Sequence, residues 1–345
     1  MSNSTENISA ALLLAPYQLN IWFGSFLWIT GNFGCLCNLM VFRSRSFRKR
    51  TYSIYLFAAA IADFHYFNFV LITRILQNGF RISLMNRFTV ICKLRQFSTV
   101  WGNVVSFGLF SCAVFDRFLS THRSNAYRNW SNQSRLAYRI IFIVPFFWFL
   151  CFGHRIVLYS IKNGSCGPPA NIVYLYYDNY FQVIFSSLTP VLSMAVLAYY
   201  LLKNIRILRR RIVPEAIVPT VTQRGPSRIS QMDKQLTIML ITESIIATIT
   251  YLPYAIQLTY SNITSGWYKT PLRLAWEQVA IEIIHLFSYI FFATSFYVSI
   301  ISNVGFRRIF RRLFGKSRSN RQPRQNQSVV GIGTKATVPM NGACR

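Results

Sequence analysis

The chain has 345 residues, of which 52% are hydrophobic and only 13% charged, about half the charged share of an ordinary soluble domain. That balance excludes a soluble globular fold and points to a membrane protein. The formal net charge of +28 argues for nucleic acid at first sight, but the basic residues sit in particular connecting segments instead of covering one face, which argues against it.

Seven long apolar segments follow one another at about 19–42, 52–76, 90–119, 139–161, 174–202, 236–260 and 279–301. Each is long enough to cross a bilayer and to satisfy its own backbone as a helix, so the sequence predicts an all-α membrane protein with a seven-helix bundle. Lys and Arg alternate between the connections. Segments 43–50, 120–139, 203–235 and the tail from 306 carry five, four, eight and ten, whereas 1–18, 77–88, 162–171 and 261–276 carry none, two, one and two. The positive-inside rule then places the N-terminus outside and the C-terminus inside, with the excess charge facing anionic lipid and cytoplasmic partners. Sequons at Asn3, Asn7, Asn163 and Asn262 fall on the predicted outside, and those at Asn129, Asn132 and Asn326 on the predicted inside, where glycosyl transfer does not reach. The division that follows is an extracellular stretch 1–18, a seven-helix domain 19–303, an interfacial helix 304–315 and a disordered cytoplasmic tail 316–345. No cleaved signal peptide is read at the start, where a basic region and a long apolar core are missing.

Within the first segment, Gly31 to Asn38 offers small and polar residues suited to close helix contact. The second carries Asp63 at mid-depth, where a carboxylate is costly and serves either as a hydrogen-bond hub or as a cation ligand. The third runs almost uncharged from Cys92 to Asp116-Arg117, a rise of roughly 37 Å on a helix. A thiol thus stands at one face and an ion pair at the other, and that pair is either functional or a marker of the headgroup boundary. Of the seven cysteines, only Cys92 and Cys166 fall outside, so they are the expected disulfide. Pro190 in the fifth segment and Pro253 in the sixth remove backbone bonds and predict bends. Glu243, also in the sixth, is explained by a carboxylate facing the bundle. From Phe306 to Phe314 apolar residues recur at helical spacing with arginines between them, the pattern of an amphipathic helix lying in the interface.

With Asp63, the Cys92 and Cys166 pair, Asp116-Arg117-Phe118, Trp148, Pro190, Pro253 and the interfacial helix in order, residues 20–314 resemble a rhodopsin-like G-protein-coupled receptor. The Ser53-Ile54-Tyr55 run and the short loop before it most resemble invertebrate neuropeptide receptors of the FMRFamide-like kind. The resemblance implies a plasma-membrane receptor that binds an extracellular ligand and activates a heterotrimeric G protein. It implies a switch at Arg117, restrained by Asp116 and by Asp233 on the sixth helix, and a hinge at Pro190, Tyr251 and Pro253. It also implies a polar cavity of Asp63, Ser106 and Ser295 that admits a sodium ion, with no other cofactor or metal. Polar residues near the outer helix ends, namely Arg74, Gln96, Thr99, Arg155, Asp178, Glu282 and His285, are the expected ligand pocket. Amine receptors of the family carry an Asp where this chain has Thr99, which favours a peptide. Three departures stand out: Gly34-Cys35 falls where the family has Gly-Asn in the first helix, Tyr251 replaces the Trp before the sixth-helix proline, and the family's Asn-Pro-x-x-Tyr is absent from the seventh helix.

An enzyme is not expected, since nucleotide-loop, zinc-protease and nucleophile-elbow patterns are missing and the four His lack ligand spacing. A retinal protein would need a lysine in the seventh helix, and 279–303 has none. The alternative from another class is a transporter or channel, which internal repeats would favour.

Overall fold

The computed structural model describes residues 9–45, 47–48, 50–121, 124–131, 133–212 and 228–314. Seven helices in it are long and apolar enough to cross a membrane: Ala10–Phe42, Thr51–Gly79, Thr89–Ser120, Ser134–Leu158, Ile172–Asn204, Gln235–Ile263 and Pro271–Ser302. They pack as one bundle. The third is its axis, with 72% of its apolar stretch buried, and the fourth is peripheral, with 11%. Phe142, Ile143, Phe146, Phe147 and Leu150 on the fourth face outward, an apolar surface that suits lipid and not water.

The helices are longer than hydropathy alone predicted. The first begins at Ala10, so it takes in half of the stretch 1–18 expected as an external segment. Pro16 lies inside it, and the Asn20 side chain donates to the Pro16 carbonyl at 2.8 Å. The seventh begins at Pro271, because Thr270 caps it by accepting from the Arg273 amide and proline fits the first turn. It bends at Tyr289 and resumes at Ile290. The sixth belongs to a helix that starts at Arg228. The fourth ends at Leu158, short of the predicted 161, since Ser160–Lys162 pairs antiparallel with Ser165–Gly167. Asn163 (φ 50°) and Gly164 (φ 73°) make the two-residue turn between these strands, where left-handed backbone is required. The sequon Asn163 therefore stands at the exposed tip of the hairpin, and Asn262 near the end of the sixth helix.

Pro190 lies inside the fifth span, as expected, and a π-helical turn accommodates it. It occupies the first turn of a helical segment beginning at Thr189, directly after a π-helical turn at Val183–Leu188, and the Thr189 hydroxyl donates to the Ile184 carbonyl at 2.8 Å. Similar turns lie at Asn20–Gly24, Tyr66–Leu71 and Ile75–Gly79. Pro253 likewise lies inside its helix, as expected. After Asn303, which caps the Phe306 amide, Val304–Phe314 forms the predicted amphipathic helix. Phe306 is buried against Phe42, Phe47 and Phe296, while Arg307, Arg308, Arg311 and Arg312 are exposed. Asn3, Asn7 and the tail 316–345 lie outside the described residues.

Candidate functional site

The third helix carries a polar stripe from its disulfide end to mid-depth: Cys92, Arg95, Thr99, Asn103 and Ser106 recur at three- and four-residue steps and so share a face, with Gln96 beside Arg95. Cys92 is bonded to Cys166, with Cα atoms 5.7 Å apart, which ties the hairpin to the top of this helix. The Cys166 amide donates to Asn86 at 3.1 Å, and Gln96 lies against the Cys166 sulfur.

Below the disulfide the residues expected as one pocket fall into two separate ionic networks. In the first, Glu282 of the seventh helix is buried and takes four donors: Arg74 at 2.6 Å, Asn20 at 2.8 Å, Asn78 at 2.9 Å and Gln278 at 3.3 Å. Arg74 also meets His285 Nδ1 at 3.0 Å. In the second, Arg155 Nε donates to Asp178 Oδ1 at 2.9 Å and Arg155 Nη2 to Gln182 at 2.8 Å. Tyr159 donates to Asp178 Oδ2 at 2.7 Å, and His154 lies 3.1 Å from Oδ1. Burial pushes the Tyr159 hydroxyl above its ordinary range, so it keeps the proton it donates. Arg155 and Asp178 are almost wholly enclosed and paired with one another, a clasp joining the fourth and fifth helices.

Arg95 was missing from the expected pocket, and it is the cation with the least compensation there. It donates through Nε to Thr73 at 2.6 Å and through Nη1 to Thr99. Both hydroxyls spend their own protons on helix carbonyls, Thr73 on Phe69 and Thr99 on Arg95. Arg95 therefore has acceptors but no counter-charge among the described residues.

At mid-depth the polar stripe is interrupted by rings. Phe107 packs on Tyr251 and Phe291, both with centroids 4.7 Å away, and on Phe292 at 5.5 Å. Tyr251 is buried, and its hydroxyl accepts from Asn103, which also donates to the Ser186 carbonyl of the fifth helix at 3.0 Å. Asn103 thus links the third, fifth and sixth helices. Hydropathy gave no sign of it, although its place on the Cys92 face did.

Beneath the rings lies a small cavity of about 10 Å³, lined by Asp63, Ser106, Glu243, Phe110 and Ser295 among others. Ser106 donates to Asp63 Oδ1, and Asn38 donates to Ser295 at 3.3 Å. Among the described residues no hydrogen bond of ordinary geometry reaches either Glu243 oxygen, though the side chain is buried and Ser295 lies beside it. Two carboxylates facing a space the size of one water or ion are chemically suited to a small cation, because bare burial of both charges is costly.

At the far end Arg117 donates to Asp116 Oδ2 through Nη2 at 2.9 Å and Nε at 3.3 Å, and its guanidinium lies 4.4 Å from the Tyr52 ring centre. Ser131, in the short helix Asn125–Ser131, donates to Asp116 Oδ1 at 2.9 Å and to its backbone carbonyl. The Asp233 side chain lies outside the described residues. No protein-family model matches this chain, and no curated protein matches its sequence.

Proposed function

We propose that the chain is a rhodopsin-like G-protein-coupled receptor of the plasma membrane, which binds an extracellular ligand of peptide kind and activates a heterotrimeric G protein. The observation that carries the proposal is the Asp116–Arg117 pair, folded onto Tyr52 and braced by Ser131 at the end opposite the disulfide. In this reading the disulfide end faces outside. Ligand binding there shifts the sixth helix about Pro253, and the pairs that hold Arg117 give way to contact with the G protein. Tyr251 and the rings on Phe107 transmit the shift.

The test is nucleotide exchange by purified G-protein heterotrimers on the reconstituted chain, screened against a peptide library. We expect Arg117→Ala to suppress agonist-driven exchange. Asp233→Ala should raise basal exchange several-fold, as loss of about 1 kcal/mol of pairing would. Ligand-independent ion current, with no exchange on any G protein, would instead support the transporter or channel alternative.

A sodium ion held by Asp63 with Ser106, and with Glu243 in place of the family's seventh-helix asparagine, belongs to the same proposal. It would stabilise the closed state by compensating two buried carboxylates at once. Exchange of sodium for choline should lower the thermal midpoint of the native chain and leave that of Asp63→Asn unchanged.

A further inference from the structure

Among the arginines in the disulfide half, Arg74 faces Glu282 and Arg155 faces Asp178, each pair buried. Arg95 is the odd one. It is 9% exposed, it bonds only to two threonine hydroxyls, and no carboxylate among the described residues pairs with it. Arg74 and His285 lie near it and add no negative charge, and Glu282 is already saturated by four donors. Tyr66, Tyr254 and Tyr289 lie near enough to interact electrostatically with Arg95, and the Tyr66 and Tyr289 rings stack at 5.3 Å. Two arginines and one glutamate in this cluster leave one positive charge in excess. A buried charge without a counter-ion is expensive, whereas a bidentate carboxylate is the geometry a guanidinium fork accepts best.

We propose that Arg95 is the anchor for a carboxylate on the ligand, with the tyrosines receiving the apolar or aromatic group beside it. The proposal rests on the receptor reading only in taking this end of the bundle as the ligand site. The carboxylate has two sources in a peptide, a free C-terminus or an acidic side chain. An amidated peptide without an acidic residue does not meet the requirement.

The experiment is a thermal-shift titration of the purified full chain in lipid nanodiscs. The probes are N-acetylphenylalanine, its primary amide, and N-acetylglutamate α-amide. We expect one or both acids to raise the midpoint by about 3 °C at tenfold excess over Kd, and the phenylalanine amide to leave it unchanged. A larger shift with the first acid assigns the site to a C-terminus, and with the second to a side chain. Arg95→Gln should abolish the shift, Arg95→Lys should weaken affinity about tenfold, and Arg273→Gln, at an exposed arginine, should change nothing. Without ligand, Arg95→Gln should melt at or above the native temperature, because an uncompensated buried charge has gone. Equal shifts from acid and amide, no shift from either acid, or a shift that survives in Arg95→Gln overturns the proposal. So does an unliganded midpoint for Arg95→Gln several degrees below the native one, which would make Arg95 a structural tie. Should that variant fail to fold, the acid–amide comparison on the native chain and the Arg95→Lys titration decide. No G protein is present in the assay, so absence of nucleotide exchange would sink the receptor reading without touching this result.

Discussion

Lys93 and Arg95 stand two positions apart on the third helix and live in opposite surroundings. Lys93 reaches the Val157 carbonyl at 3.2 Å from an exposed position, whereas Arg95 is turned into the bundle. Two residues span about 200° of helix, so this outcome is geometric. Hydropathy treats the two cations alike, which is why Arg95 escaped notice in a stretch that reads as almost uncharged. The signal was present all the same: Arg95 lies on the face that also carries Cys92, Thr99 and Ser106. The pairing of Arg155 with Asp178 was not legible, because no local pattern shows which cation a distant carboxylate will meet. That pair yields a sharp expectation. Asp178→Asn leaves the enclosed Arg155 charge uncompensated and should cost about 3 kcal/mol, seen as a fall in thermal midpoint and in surface expression. Glu277→Gln disrupts a cluster with Lys269 and Arg273 that is only partly buried, and should lower the midpoint less than Asp178→Asn does.

At the scale of helices, existence and order were legible and ends were not. Seven apolar stretches became seven long helices because a stretch of that length must satisfy its own backbone. The ends moved because capping and turn chemistry, not hydropathy, set them. Thr270-Pro271 starts the seventh helix early, and Asn163-Gly164 folds the end of the predicted fourth segment into a hairpin. Close packing between the first two helices rests on Gly31, where a Cβ would overlap the ring of the buried Phe67. Gly31→Ala should therefore destabilise the chain by about 2 kcal/mol, and a second change, Phe67→Leu, should recover part of the loss. Recovery in the double variant, measured by thermal midpoint, separates steric overlap from a general intolerance of substitution at Gly31. The Asn103–Tyr251 bond gives a further expectation. Tyr251→Phe keeps the ring stack and removes the acceptor, so it should alter basal nucleotide exchange while leaving expression intact. Tyr251→Ala should impair both.

For the molecule as a whole, the disulfide closes a loop across 74 positions and joins the hairpin to the axial helix. Peptide mapping under non-reducing conditions should recover the Cys92–Cys166 link. Its reduction should cost about 4 kcal/mol, by freeing a long loop in the unfolded chain. The loss should appear as a lower midpoint in reducing buffer, and Cys92→Ser should be insensitive to reductant. The disulfide was deducible from topology alone, whereas the division of the polar residues into two ionic networks required the packed bundle.

The ring layer of Phe107, Tyr251, Phe291 and Phe292 has a consequence for how the two ends communicate. Charge lies above it at Arg74, Arg95 and Glu282, and below it at Asp63 and Glu243, and the Asn103 amide and Tyr251 hydroxyl, bonded to each other, lie at its level. The ring contacts themselves are hydrocarbon, so the two charged regions are held apart by a layer of low polarity. It is also stiff, since rings at contact distance cannot shift singly. A displacement on one side of the layer thus reaches the other through the rings together, as across a diaphragm.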